Sequence, residues 1–296
     1  MTHHAPSSPA PPFTIGLKPL ENDDFLIIDD ELPRYLDEKE QLYAEKFADV
    51  FNAEADTLEA QSWCAKRIVD CLARHHQERF VCGPGEPIAL RDGRALPQIE
   101  DWKHAPLACA ALWVPDDLIL MRRDGAGWRL AAASLCFPSS WNLAEKFGLP
   151  IGEIHAPVPL PETMTRRIER IFDNLKPDMP VWRANWSLDA DGELRHDRLE
   201  RHRVEPRDKL SGTIFLRSEY QTLHMLPDRR NMLFTVRIAT GTLADFLGKP
   251  DGRKNAAALA RQYEAMSLEQ KQYKGIAEGA ERLLAWLNER GGDHDD

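Results

Sequence analysis

The sequence predicts an α+β fold, an antiparallel sheet with helices packed on one face and further helical extensions at both ends. Three observations predict it. Short apolar runs in the middle of the chain come in pairs joined by turn residues. Long stretches on either side carry apolar residues at helical spacing. Strands and helices do not alternate as βαβ units would require. The chain of 296 residues, 43% hydrophobic and 29% charged, is long enough for a sizeable core and ordinary in composition.

The elements follow in order. Residues 1–20 read as a flexible tail, punctuated by Pro6, Pro9, Pro11, Pro12 and Pro19. Residues 21–112 read as an N-terminal helical extension. One helix starts near Tyr35 and carries Tyr43, Phe47, Val50 and Phe51, and a second runs from about Thr57 to Phe80 with Leu58, Ala65, Ile68, Val69 and Leu72 on one side. The core is expected over 113–242. Leu118–Arg123 and Trp128–Leu135 form a hairpin across Asp124-Gly125-Ala126-Gly127. Ser139 or Ser140 caps a short helix that Gly148 ends. Met164, Ile168, Ile171, Phe172 and Leu175 then line one face of an amphipathic helix. Strands return over Val181–Leu188, Thr213–Leu226 and Met232–Ala239. A C-terminal helical extension fills 243–296, with Ser267 and Gln270 as a capping box before its last helix.

Charge and cysteines exclude several classes. A formal net charge of −10 disfavours nucleic acid and anionic membrane as partners and suits a cationic substrate such as an amine. Five scattered cysteines, with no C-x-x-C pair, support neither a disulfide framework nor a zinc or iron–sulfur motif. No signal-like leader and no run of about 18 apolar residues occurs, so a cytoplasmic location is expected. Dinucleotide, Walker, nucleophile-elbow and H-E-x-x-H signatures are absent.

Two segments carry the chemistry instead. One spans Leu135–Pro159, with Cys136-Phe137-Pro138-Ser139-Ser140-Trp141 and Ile154-His155-Ala156-Pro157-Val158-Pro159. The other is Arg217-Ser218-Glu219-Tyr220-Gln221-Thr222-Leu223, with Phe234-Thr235-Val236-Arg237 beyond the turn. Strand alternation puts Arg217, Glu219 and Gln221 on one face. A turn centred on Arg229 would pair Gln221 with Arg237 and add a fourth polar group there. Such a cluster framed by apolar residues suits a pocket wall, in which Arg can meet an anionic or polarised group and Glu a cationic one.

These motifs, together with Arg183-Ala184-Asn185-Trp186, resemble the haem-bearing subunit of the haem-dependent oxidative N-demethylases over about residues 20–280. The chain departs from that pattern at Tyr220, His224 and Met225, where arginines are common. The resemblance implies a PAS-like fold that binds haem b through a proximal histidine. It implies oxidative demethylation of a small secondary amine such as dimethylamine, with O2 and electrons from a partner reductase. NADPH, FMN, 2Fe-2S and tetrahydrofolate sites are then expected on partner subunits only. On this reading His155 is the iron ligand, stiffened by the prolines that follow it. Cys136 is the rival axial ligand, or a buried core thiol. Trp141, Arg183 and Trp186 would flank the haem or hold its propionates, with Arg217, Glu219, Gln221 and Arg237 on the reactive side. A haem-based gas or redox sensor, and a haem-free binding protein of the same fold, are the alternatives.

Overall fold

The computed structural model describes residues 16–83, 87–154, 162–197, 214–268, 271 and 280–291. The strands are β1 (Lys18–Pro19), β2 (Phe51–Ala53), β3 (Phe80–Val81), β4 (Ala89–Leu90), β5 (Asp117–Asp124), β6 (Gly127–Ser134), β7 (Val181–Asp189), β8 (Phe215–Met225) and β9 (Asn231–Thr242). The helices are α1 (Leu32–Val50), α2 (Leu58–His75), α3 (Pro106–Ala111), α4 (Leu143–Lys146), α5 (Ile151–Ile154), α6 (Glu162–Asn174), α7 (Leu243–Leu247), α8 (Gly252–Glu264) and α9 (Ala280–Gly291). Seven strands form one antiparallel sheet in the order β1-β7-β8-β9-β5-β6-β2, and β3 and β4 pair separately. The fold is therefore α+β, as the sequence predicts. The first and last long strands, β5 and β9, lie side by side at the centre.

Alternation along the strands separates two faces. On β5, Leu118 and Leu120 join one apolar cluster and Ile119 and Met121 the other. The first face is covered by the flanking helices. Cys64, Ala65, Ile68, Cys71 and Leu72 recur at helical spacing on α2 and pack there with α3 residues. Helices α7 to α9 cover the same face further along, against Trp186, Leu188 and Leu216. The second face packs under the helices inserted between β6 and β7, through Leu143, Ile151, Ile168, Ile171 and Phe172. Helices internal to the core thus take one face together with Tyr35, Leu42, Tyr43 and Val50 of α1, while α2, α3 and the C-terminal helices take the other.

Several boundaries differ from the sequence reading, each for a local reason. Lys18 and Pro19, expected at the end of the tail, pair with Trp182 and Val181. The second helix stops at His75, where the backbone of His76 leaves the helical region, and Phe80–Val81 turns into a short strand. Neither Ser139 nor Ser140 caps α4; the Asn142 side chain does, accepting from the Glu145 N–H at 2.9 Å. The β8–β9 hairpin does not turn on Arg229. Asp228 Oδ1 accepts from the N–H groups of Arg230 and Asn231 at 2.8 and 2.9 Å, and Arg229 adopts a positive φ of 56°. Gln221 consequently pairs with Val236, and Arg237 pairs with Tyr220. The expected helix start at Ser267 and Gln270 falls partly outside the described residues, as does His155.

Candidate functional site

The half-exposed stretch of the second face lies on β7 and β8. Arg183, Asn185 and Ser187 stand directly opposite Gln221, Glu219 and Arg217 across the two strands. Their neighbours on this face are apolar: Val181, Leu223, Phe234 and Val236, with Trp141 and Ile154 packed against the same cluster. The neighbouring even positions Ala184, Trp186 and Leu188 are buried on the other side of the sheet.

Within the row, Glu219 is held from three directions. Its Oε1 accepts from the Ser139 hydroxyl at 2.8 Å, and its Oε2 accepts from Gln221 Nε2 at 2.7 Å and Asn185 Nδ2 at 3.3 Å. Arg217 is 1% exposed and its donors are taken up by the protein. It donates to the carbonyls of Phe137, Leu194 and Glu193 at 2.8, 3.0 and 3.2 Å, and to the Ser139 hydroxyl at 2.9 Å. Burial lowers its pKa, and Glu219 and Asp189 oppose that effect. Arg217 therefore ties down the loop that leads to Trp141, and its burial keeps it from a ligand on the face.

The same loop is held from its other side by Asp117, the first residue of β5. Its carboxylate accepts from the N–H groups of Cys136 and Phe137 at 2.8 and 2.9 Å, in a fully buried position. Arg195 adds a bond to the Cys136 carbonyl at 3.1 Å, and the Ser140 N–H reaches the His196 carbonyl at 2.7 Å. Ser140 has a positive φ of 66°, a conformation that costs roughly 1–3 kcal/mol and persists because the loop is so fully bonded. Sequence reasoning missed Asp117. The signal was present: two aspartates, Asp116 and Asp117, opening a strand of otherwise buried apolar residues.

Arg183 stands apart from these networks. Arg183 is half-buried; its Nε lies out of solvent with no hydrogen-bond partner among the described residues, and burial lowers its pKa despite the field of Glu219. A half-buried guanidinium with an unused Nε donor can take an anionic group from a ligand.

Two predicted residues do not join the row. Trp186 is 1% exposed on the opposite side, packed under the C-terminal helices with its Nε1 donating to Gln262 at 2.7 Å. Arg237 also points to the opposite side, because the hairpin register pairs it with Tyr220. There it stacks over the Tyr35 ring at 3.8 Å and forms a forked pair with Asp29, both contacts at 3.1 Å. Cys136 is fully buried within the apolar cluster, and burial pushes its thiol up to about 12. All five cysteines are free thiols.

A family model for the haem-dependent oxidative N-demethylase, alpha subunit-like, matches residues 16–284. The chain belongs to this family. No curated protein matches the chain. Haem dependence and oxidative N-demethylation thus describe the family as a whole. The residues found on the β7–β8 face fit a haem: a half-buried arginine with an unused Nε donor suits a propionate, and the apolar side chains around it suit a flat macrocycle. No helix among the described residues is long and apolar enough to cross a membrane.

Proposed function

We propose that this member of the family is the haem-bearing subunit of an oxidative N-demethylase acting on a small secondary amine such as dimethylamine. The observation that carries the reading is the half-buried Arg183, its Nε without a partner among the described residues, beside a fixed Glu219 carboxylate in an apolar surround. Haem b, when bound, supplies the redox chemistry that couples O2 to oxidation of an N-methyl group.

The chain's own residues then divide the remaining work. Arg183 pairs with a propionate. Trp141, half-buried at the end of its bonded loop, packs against the ring system. Glu219 holds the cationic amine, its second oxygen kept in place by Gln221 and Asn185. Arg217 and Asp117 are positioning residues that fix the loop. His155, outside the described residues, remains the proposed iron ligand; it directly follows Ile154, which packs against this face. The central pairing of β5 with β9, and the helices inserted between β6 and β7, support the PAS-like reading of the sheet. Reduction requires a partner reductase, with NADPH, FMN, 2Fe-2S and tetrahydrofolate on partner subunits. The cytoplasmic assignment is part of the same proposal.

Haemin titration followed by absorbance tests the reading in the wild type, His155→Ala and Arg183→Met. One-to-one binding with a Soret band that shifts on reduction is expected. It should be lost or altered in His155→Ala and weakened about ten-fold in Arg183→Met, the effect of ~1.4 kcal/mol. A wild-type chain that fails to bind haemin overturns the proposal. An unchanged spectrum in His155→Ala overturns the ligand assignment.

A further inference from the structure

On the opposite side of the sheet from Glu219, the segment before α1 meets the C-terminal end of α2. Phe25 and Leu26 from this segment are 1% and 3% exposed and belong to the main apolar cluster. Asp24 comes from the segment, Cys71 from the last turns of α2, and His76 from the residue that caps it. One ligand-type atom from each of the three lies within 4.8 Å of both others. His76 Nε2 is 2.9 Å from Asp24 Oδ1, and Cys71 Sγ is 3.8 Å from the same oxygen. The side chains of His76 and Asp24 are 3% and 6% exposed, and Cys71 is fully buried.

We propose that Asp24, Cys71 and His76 form a site for a divalent cation of the zinc class, which pins residues 23–26 to the end of α2. The donor set is mixed thiolate, imidazole and carboxylate, which selects borderline-soft ions over calcium or magnesium. Around a tetrahedral ion with bonds of roughly 2.0–2.3 Å, donor atoms stand about 3.3–3.8 Å apart; the Cys71–Asp24 spacing of 3.8 Å matches this, and the 2.9 Å between His76 and Asp24 must open slightly when an ion enters. The surroundings are built as metal sites are built. The second ring nitrogen of His76 has the exposed Glu78 carboxylate at 4.0 Å, too far for a hydrogen bond but a favourable charge beside a ligating imidazole. Arg67 and Arg74 both pair with Asp23, next to the cluster. The Cys71 thiol has the Asp23 carbonyl and Asp24 Oδ1 at 3.7 and 3.8 Å, and the backbone N–H groups of Phe25 and Leu26 favour its thiolate, the form that ligates a metal. The fourth position falls to water.

Metal content of the full-length chain tests the site. The protein is produced in zinc-supplemented medium, desalted in metal-free buffer and analysed by mass spectrometry for zinc per chain. The wild type and the Cys64→Ser control are expected to retain about one equivalent, and Cys71→Ser and His76→Gln less than about a tenth of that. Zinc-edge X-ray absorption of the wild type should show a single sulfur scatterer near ~2.3 Å, a readout that does not depend on the variants folding. A wild type that stays zinc-free after titration with zinc chloride overturns the proposal. So does zinc bound without a sulfur neighbour, or zinc retained in soluble Cys71→Ser protein. Haem binding is scored separately, so this site and the haem reading fail or survive independently.

Discussion

Arg217→Met removes the cation that fastens the Cys136–Trp141 loop while keeping much of the side-chain bulk. Three of its bonds are 3.0 Å or shorter, to the Phe137 and Leu194 carbonyls and the Ser139 hydroxyl. Each hydrogen bond to a charged donor is worth about 1.5–3 kcal/mol, and each buried acceptor left bare costs about 1–3 kcal/mol. The cost of desolvating the guanidinium, returned when it is removed, offsets part of that sum. A net loss of ~3–5 kcal/mol follows, the range found when one member of a buried charged network is deleted. Against a total stability of roughly 5–15 kcal/mol this is a large fraction. Urea unfolding followed by circular dichroism reads it directly: with a slope of about 3 kcal/mol/M, the midpoint falls by ~1–1.7 M. Arg217→Lys should recover less than half of the loss, since one ammonium cannot reach acceptors spread over two loops. A midpoint for Arg217→Met within about 0.2 M of wild type would refute the clamp and return Arg217 to the list of residues open to a ligand.

Three further outcomes are expected. Asp116 is fully buried, neither carboxylate oxygen has a hydrogen-bond partner among the described residues, and burial raises its pKa to about 7. Because the folded value lies above the unfolded one, its contribution is present at low pH and lost as the pH rises from about 4 through about 7. Asp116→Asn should therefore flatten the stability profile over that window and gain ~1–3 kcal/mol at pH 8, and parallel wild-type and variant profiles would contradict this. Gly127 has a φ of 114°, and a Cβ there would stand 2.9 Å from Glu169 Oε1. Gly127→Ala should cost ~1–3 kcal/mol and lower Tm by about 3–8 °C in a thermal melt, whereas an unchanged melt would mean that the turn relaxes freely. Under the proposed function, Glu219→Gln should raise KM for dimethylamine about ten-fold or more with haem content unchanged, and an equal KM would place the amine elsewhere.

The α+β class, the long hairpins and the amphipathic α6 were legible because periodicity reports which side of an element is buried. Met164 to Leu175 marks α6, and the Asp124–Gly127 turn marks its hairpin. The Arg217, Glu219 and Gln221 grouping was legible for the same reason, since alternation within one strand needs no partner. What alternation cannot supply is register. Arg237 was misplaced by one residue because the hairpin is set by the Asp228 side chain and the positive φ of Arg229. Trp186 was counted with the site on the strength of its motif, although its parity with Ala184 and Leu188 assigns it to the other side. Short elements such as α3, β3 and β4 escaped because a handful of residues carries too little periodic signal. Asp117 and Arg217 work through backbone groups far away in sequence, and such pairings are visible only once the chain is folded.

The loop from Cys136 to Trp141 is fastened to β5 through Asp117 and to β8 through Arg217, while β9 runs between those two strands. It acts as a staple driven across three neighbouring strands of the sheet. A force applied at Trp141 is shared by the whole central sheet instead of bending a hinge, so this wall has a fixed shape to which a ligand must conform. Under the proposed function, variation in ligand size is accommodated at Phe234 and Val236, whose apolar side chains end on the face without bonding to the staple. Libraries aimed at altered selectivity belong at those two positions, and substitutions within the loop will cost folding before they change recognition.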